Sequence, residues 1–314
     1  MTQKRKTPRF DTNALLGGED CTRIFTLHPP RGEEPVAPIL FSAPHSGRCY
    51  PVDFVRKAAL PLNELRGSED FAVDLLFAAA PAHGMPLLVA QRPRAWLDLN
   101  REPHELSPEM FDGPVPPWAD TTSERARSGL GVIPRVITED RAIYRRPLKW
   151  EEAKQRIEQA WGPYHLALQD QLQALQQRFG AAVLIDCHSM PESAARAMTP
   201  LSLRQPDIIL GDVEETACNP LLTDTLDELF SRAGLNVRRN RVYTGGYITR
   251  RYGLQGYGAH AVQIEINRGL YMQPGAFELT DAFFALRDII TGIMAELPTR
   301  LAPLWHQRPA QAAE

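Results

Sequence analysis

Three side chains stand where a folded chain could use them for chemistry: His45, His188 and Glu265. His188 lies in VLIDCHSMP (183–191), where an aliphatic run leads into Asp186, Cys187 and His188 and is stopped by Pro191. Strand side chains alternate, so Asp186 and His188 share one face and Cys187 takes the other. His45 lies in SAPHSGRCYP (42–51), directly after a second aliphatic run. Pro44 ends the ladder there and Gly47 permits a tight turn. A lone histidine in such a place is more often a hydrogen-bonded structural group than a ligand. Two of them, 143 residues apart in the same strand–turn setting, point to a metal site. Catalytic zinc takes three protein ligands and leaves a fourth position open for water. The third ligand would be His, Asp or Glu, and RGSEDFAVDLL (66–76) offers Glu69 and Asp70. The plainer reading of that stretch is ordinary helix chemistry, with Ser68 as N-cap and acids in the first turn; spacing alone does not choose.

In HAVQIEINRG (260–269), Val262, Ile264 and Ile266 face one way and Gln263, Glu265 and Asn267 the other. These polar residues are either the wet side of a half-exposed strand or, at Glu265, a base that takes a proton from metal-activated water and passes it to a leaving nitrogen. DLNRE (98–102) ends another apolar run with Asn100 and Arg101. The planar fork of Arg101 suits a substrate carboxylate, against the alternative of a surface pair with Glu102. TGGYITRRYGLQGYG (244–258) reads as a mobile loop with Tyr247, Thr249, Arg250 and Arg251 as candidate substrate contacts. It is not a phosphate loop, since no Lys-Ser or Lys-Thr pair opens a helix behind it. A cysteine hydrolase built on Cys187 and a histidine is disfavoured, because alternation turns Cys187 away from His188.

The elements that must position these groups alternate along the chain. PILFSAP (38–44), PLLVAQ (86–91), AWLDLN (95–100), AVLIDCH (182–188), PDIILGD (206–212) and HAVQIEIN (260–267) read as strands. Between 151 and 179, Ile157, Trp161, Tyr164, Leu168, Leu172, Leu175 and Phe179 repeat at intervals of three and four. They predict a long helix, closed by Gly180 and bent at Pro163. Asn219-Pro220 opens a second helix that ends at Gly234, and a third is expected over about 277–296. Strands alternating with helices imply an α/β sandwich around a parallel or mixed sheet. One catalytic domain is expected over 21–305, with loose segments at 1–20 and 306–314. Residues 103–148 are rich in Pro and Gly without a sustained period, and read as an active-site wall or lid or as a solvated insertion.

Composition narrows the function classes. The chain has 314 residues and a formal net charge of -3, which argues against nucleic acid or an anionic membrane as partner. No apolar stretch is long enough to span a bilayer, and the basic start MTQKRKTPRF has no apolar segment behind it, so no secretory signal is expected. Cys21, Cys49, Cys187 and Cys218 are scattered without a CxxC pair. That argues against a disulfide framework or a cysteine zinc cage and fits a reducing cytoplasm. Nothing in the helix faces specifies an oligomeric state.

Taken together, APHSG (43–47), SEDFAVD (68–74), DLNRE (98–102), DCHSMP (186–191), PDIILGD (206–212), GGYIT (245–249) with RYG (251–253), and QIEINRGLYM (263–272) resemble the N-formylglutamate amidohydrolase family. The matches cover roughly residues 38–290 in the family's order. The resemblance implies a single three-layer α/β domain with a mixed central sheet, of the phosphorylase/hydrolase-like type related to zinc carboxypeptidases. It implies hydrolysis of N-formyl-L-glutamate to formate and L-glutamate, late in histidine degradation. By position it makes His45 and His188 zinc ligands with Asp70 preferred over Glu69 as the third, Glu265 the general base, and Arg101 the clamp on a substrate carboxylate. Another divalent ion would suit the same set. Zinc carboxypeptidases carry a Glu three residues after the first histidine; here that position is Arg48, so the acidic ligand must come from elsewhere. Two rival readings remain: a zinc hydrolase of another N-acyl amino acid or peptide-like amide, and a non-catalytic binding module on the same fold.

Overall fold

Four buried runs form the centre of the sheet: Ile39–Ala43 (β2), Leu87–Ala90 (β3), Ala182–Met190 (β4) and Ala259–Asn267 (β7). Strands covered on both faces favour apolar residues; β2 and β3 are apolar but for Ser42, whereas β4 turns polar at Asp186, His188 and Ser189 and β7 at His260, Gln263, Glu265 and Asn267. The computed structural model describes residues 22–32, 34–137, 141–200 and 202–306. Among these, seven strands make one mixed sheet in the order Phe25–His28 (β1), β3, β2, β4, β7, Ile208–Gly211 (β5) and Val237–Arg239 (β6). The β3-β2-β4-β7 centre is parallel. At the edges, β1 runs antiparallel to β3, and β5 runs antiparallel to β7 and parallel to β6.

Layers cover both faces. Ile39, Phe41, Val183, Ile185, Cys187, Ile264 and Ile266 pack on one side with the helices Pro220–Arg232 and Ala282–Arg300. Leu40, Leu184 and Ala261 pack on the other with the helix Gly162–Phe179. Asn219 caps Pro220–Arg232, accepting a hydrogen bond from the Leu221 N–H at 2.9 Å. Gly180 closes Gly162–Phe179 with φ 83°, the left-handed C-terminal geometry that favours glycine.

Several expected elements differ. AWLDLN (95–100) is not a strand. Trp96 and Leu97 turn back onto the Pro93 carbonyl, and the Asp98 carboxylate accepts the Asn100 N–H at 2.9 Å, a local bond that competes with a ladder. The helix around Pro163 is bridged rather than sharply bent: Trp150–Arg156 passes through a π-helical turn, Ile157–Trp161, into Gly162–Phe179. The wider turn accommodates a proline that has no N–H to give. The last long helix starts at Ala282, not 277, because 272–280 folds back on itself, with Gln273 bonded to Glu278 and Thr280 to Tyr271. The edge strands β1 and β6 were not foreseen; both are short and only partly buried, so they carry no apolar signature. The described residues of 103–148 form no strand, but Leu106, Met110, Val132, Ile133 and Leu148 are buried in the core. The solvated-insertion reading therefore fails for much of the segment. Cys187 and Cys218 are free and buried, whereas Cys49 is disulfide-bonded, a bridge that the scattered spacing did not announce. The expected loose ends, 1–20 and 306–314, lie outside the described residues except for His306, which closes a short helix from Pro303. No helix among the described residues is long and apolar enough to cross a membrane.

Candidate metal centre and its cleft

The carboxyl ends of β2 and β4 deliver the two histidines to one side of the sheet. His45 follows β2, and an added Cβ at Gly47 would overlap the Arg92 carbonyl, so glycine is needed there for close approach rather than for an unusual turn. His188 sits in β4 in register with Glu265 in β7, and Asp186 in register with Gln263. In-register neighbours on parallel strands share a face, so all four side chains lie together.

Asp70 arrives from the loop between β2 and β3. Its N–H bonds the His45 carbonyl at 3.0 Å, and Ala72 just beyond takes a left-handed backbone (φ 61°). Ser68 does not cap a helix; it bonds back to Leu65, and the helical turn begins only at Val73. Glu69 points elsewhere, fully buried between Tyr50 Oη at 2.7 Å and the Arg66 guanidinium. Arg48, at the carboxypeptidase glutamate position, is committed to Asp74. The structure thus places Asp70, not Glu69, beside the histidines.

Asp70 Oδ2 lies 2.8 Å from His188 Nδ1 and 3.4 Å from His45 Nδ1. Its Oδ1 accepts from Arg268 Nη2 at 3.0 Å and from Ser189 Oγ at 3.4 Å. The outward nitrogens are held by carboxylates: His45 Nε2 by Asp98 Oδ1 at 2.7 Å, and His188 Nε2 by Asp186 Oδ2 at 3.0 Å. Asn100 Nδ2 lies 3.0 Å from the same His188 nitrogen and 3.2 Å from Asp186 Oδ2. One ligand atom from each of His45, Asp70 and His188 lies within 4.8 Å of the others, all buried. His45 Nδ1 is buried without a hydrogen-bond partner. An orphaned ring nitrogen aimed at a carboxylate, with the far nitrogen of each imidazole held by an acid, is the outer arrangement that metal-ligating histidines use. The residues fit a divalent ion held by His45 Nδ1, Asp70 Oδ2 and His188 Nδ1.

The charges agree. Burial by itself would raise the Asp70 carboxyl, but the hydrogen bond from His188 and the charge of the two nearby imidazoles hold it well below the usual range. Burial would lower His188, but Asp186 and Asp70 outweigh it and hold the imidazole well above its ordinary value. Asp98 is held low, against its burial, by Arg94, His45 and Arg101. Three buried acids around two imidazoles call for positive charge, as protons or as a cation that displaces them. Glu265, with burial as the largest influence, is pushed up to about 8.

His45, Asp70, Asp98, His188 and Glu265 line a cleft of about 550 Å³. Asn100, Arg101, Arg94, Arg268 and Gln263 line it too, as do Leu130, Pro134, Val136 and Ile137 of the long 103–148 segment. Asn100 is occupied in positioning: besides Asp186 and His188 it accepts the Ile248 N–H at 2.7 Å. Arg101 bonds the carbonyls of Leu130 and Asn100. Arg94 bonds Asp98 through Nε at 2.9 Å. The cleft does not include Tyr247 or Arg251. Residues 247–252 are a helical turn rather than a loop, and Tyr247 and Arg251, four apart, share one side of it. Tyr247 packs on the rings of Trp161 and His165, and Arg250 reaches the cleft instead. Thr249 is buried. Arg94, Asp98, Gln263 and Arg268 had no assigned role in the sequence reading; of these only Gln263 was reachable, since it shares the alternating face of Glu265. Cys187 is fully buried on the other face, and burial pushes its thiol well up, so no thiolate serves this site.

Gly246 shows how tightly the far wall is fitted. A Cβ there would overlap the Asn100 carboxamide, and the Gly246 N–H donates to Gln263 Oε1 at 2.7 Å. Gly246→Ala is expected to displace Asn100 from His188 and weaken metal binding about 10–100-fold, the usual cost of an outer-shell change; a competition titration with a metal indicator would measure it. Unchanged affinity would mean that Asn100 does not set His188.

Known proteins share this arrangement of chain. The N-formylglutamate amidohydrolase family matches residues 37–272. The N-formylglutamate deformylase of Pseudomonas putida is 30% identical over 254 residues, 80% of this chain and 86% of that protein. A deformylase of the same description from Pseudomonas aeruginosa is 29% identical over 268 residues, 82% of this chain and 93% of that protein. The crystal structure of N-formylglutamate amidohydrolase from Ralstonia eutropha JMP134 superposes with a TM-score of 0.83 at 35% identity, covering 89% of this chain and 98% of that one. A match across three quarters of the sequence, with the fold to accompany it, establishes that the chain belongs to the N-formylglutamate amidohydrolase family.

Proposed function

We propose that this protein is a metal-dependent amidohydrolase that converts N-formyl-L-glutamate to formate and L-glutamate, with Glu265 as general base. The observation that carries the reading is the buried His45–Asp70–His188 centre with Glu265 one strand away, at the floor of a cleft lined by arginines. The substrate is that named for the Pseudomonas relatives. When bound, a divalent ion such as zinc supplies positive charge that polarises an amide carbonyl and acidifies water to a pKa of about 7.

The chain's own groups do the rest. Glu265 takes the proton of the attacking water and returns it to the departing amine, so the C–N bond breaks as formate forms. Burial favours its protonated form, and positive charge at the neighbouring centre favours the carboxylate it needs to be. Gln263 Nε2 donates to Glu265 Oε1 at 2.9 Å, which fixes the carboxylate and leaves the other oxygen to meet water. Arg101 and Arg94 face the cleft with guanidinium charge suited to the two carboxylates of the substrate. Burial lowers Arg101 to about 10, so it remains charged at neutral pH.

Formate release from N-formyl-L-glutamate tests the reading. Activity is expected with metal, to vanish on chelation and to return with zinc. N-acetyl- and N-succinyl-L-glutamate run in parallel, because the apolar wall at Leu130, Pro134, Val136 and Ile137 leaves room for a larger acyl group. Cleavage of these but not of the formyl compound would keep the chemistry and move the substrate. Bound metal without hydrolysis of any of them would leave a binding module.

A further inference from the structure

Asp212 ends the PDIILGD segment, is buried, and does not line the cleft. Around it the backbone is unusual. Val213, Glu214 and Glu215 take left-handed conformations in succession (φ 56°, 54° and 67°), and Asn240 and Val242 join them (49° and 64°). β-Branched residues rarely adopt this region, and it persists only where the surroundings over-determine it.

Two side chains do so. Asp212 Oδ1 accepts from the Glu215 N–H at 2.8 Å and from Asn240 Nδ2 at 2.7 Å, while Oδ2 accepts from Thr223 Oγ1 at 2.8 Å. Asn240 Oδ1 accepts from the N–H groups of Asp212 at 3.2 Å and Glu214 at 3.4 Å. The turn so held donates the Val213 N–H to the Thr244 carbonyl at 2.6 Å. An added Cβ at Gly245 would press on Val213 Cγ2 at 2.8 Å, so the two segments are in close contact. From Thr244 the chain runs directly to the site. The Gly246 N–H holds Gln263, which holds Glu265; the Ile248 N–H holds Asn100, which reaches His188.

We propose that Asp212 and Asn240 are positioning residues for the hydrolysis: by clamping the left-handed turn they set the Thr244–Ile248 segment where Gln263 orients Glu265 and Asn100 orients His188. The proposal rests on the roles given above to Glu265 and His188. It differs from a plain stabilising role because the segment makes separate backbone bonds to the partner of the base and the partner of a metal ligand.

The test compares Asp212→Ala, Asp212→Asn and Asn240→Gly with wild type and with Leu229→Ala, a core truncation in the helix Pro220–Arg232. Readouts are amide hydrogen exchange over 243–248, metal affinity, and kcat and KM for N-formyl-L-glutamate at saturating metal. Asp212→Ala and Asn240→Gly are expected to speed exchange over 243–248 and weaken metal binding about tenfold. They should lower kcat about 10–100-fold, the scale of a misplacement of about 1 Å, with KM within about threefold. Asp212→Asn keeps the oxygen that Glu215 and Asn240 use and should restore wild-type kcat. Leu229→Ala should lower Tm with kcat unchanged. Wild-type exchange and metal affinity in Asn240→Gly would overturn the proposal whatever the substrate, even if Asp212→Ala does not fold. So would faster exchange with unchanged kcat, or an Asp212→Asn as slow as Asp212→Ala. Should wild type release no formate, the substrate reading fails, and exchange with metal affinity still decides the clamp.

Discussion

Glu265→Gln is expected to lower kcat about 10²–10⁴-fold while metal content and fold are retained. Gln keeps the size of the side chain and an oxygen for Gln263 Nε2, so packing between β5 and β7 is undisturbed. It removes only the ability to take a proton. The same substitution has a thermodynamic signature in metal-free protein. Buried Glu265 is pushed up to about 8 from an ordinary 4.5. Between those values the native state keeps a proton that the unfolded chain has released. The unfolding free energy therefore falls as pH rises through this window and levels off above it. Gln has nothing to ionise, so Glu265→Gln should gain on wild type from about pH 5 to about pH 8.5. Denaturant midpoints at both ends would show it. Full turnover in the variant would end the role as base, and a stability difference independent of pH would mean that Glu265 ionises normally in the fold.

His188→Ala is expected to abolish metal binding and with it all metal-dependent turnover. In wild type, free metal at a hundred times Kd stabilises the fold by about 2.7 kcal/mol, seen as a rise in Tm. Without His188 that rise should disappear. The variant should also be less stable without metal, because Asp70 and Asp186, both buried, lose the imidazole that lies between them. Removing one partner of a buried charged pair costs about 3–5 kcal/mol. His45→Ala separates the two effects: it removes a candidate ligand, but the Asp98 carboxylate it leaves retains Arg94. A metal-induced rise in Tm that survives both substitutions would place the metal elsewhere.

Features governed by local interactions are legible in this chain, and those governed by distant contacts are not. Alternation in β4 and β7 put Asp186 with His188 and Gln263 with Glu265, because the two-residue period of a strand follows from backbone geometry alone. Aliphatic runs marked five strands, with their ends within two residues, since burial leaves a compositional trace. AWLDLN carried the same trace, yet Asp98 supplies its own hydrogen bond to the backbone and turns the chain. The edge strands β1 and β6 left no trace, because an edge needs few apolar residues.

What the sequence by itself determined is that two histidines and a glutamate stand at strand ends of one α/β sheet, in segments that carry the family's motifs. Only the tertiary structure decided which acid joins them. Glu69 and Asp70 are neighbours with the same chemistry. Asp70 is drawn to the centre by its backbone bond to His45, while Glu69 is captured by Tyr50 and Arg66. It likewise decided that Tyr247 packs on Trp161 and His165, and that Arg94 and Arg250 rather than Arg251 line the cleft. Each of these outcomes depends on a bond or a packing contact beyond the reach of any strand or helix period, and such contacts exist only once the sheet has brought its strands together.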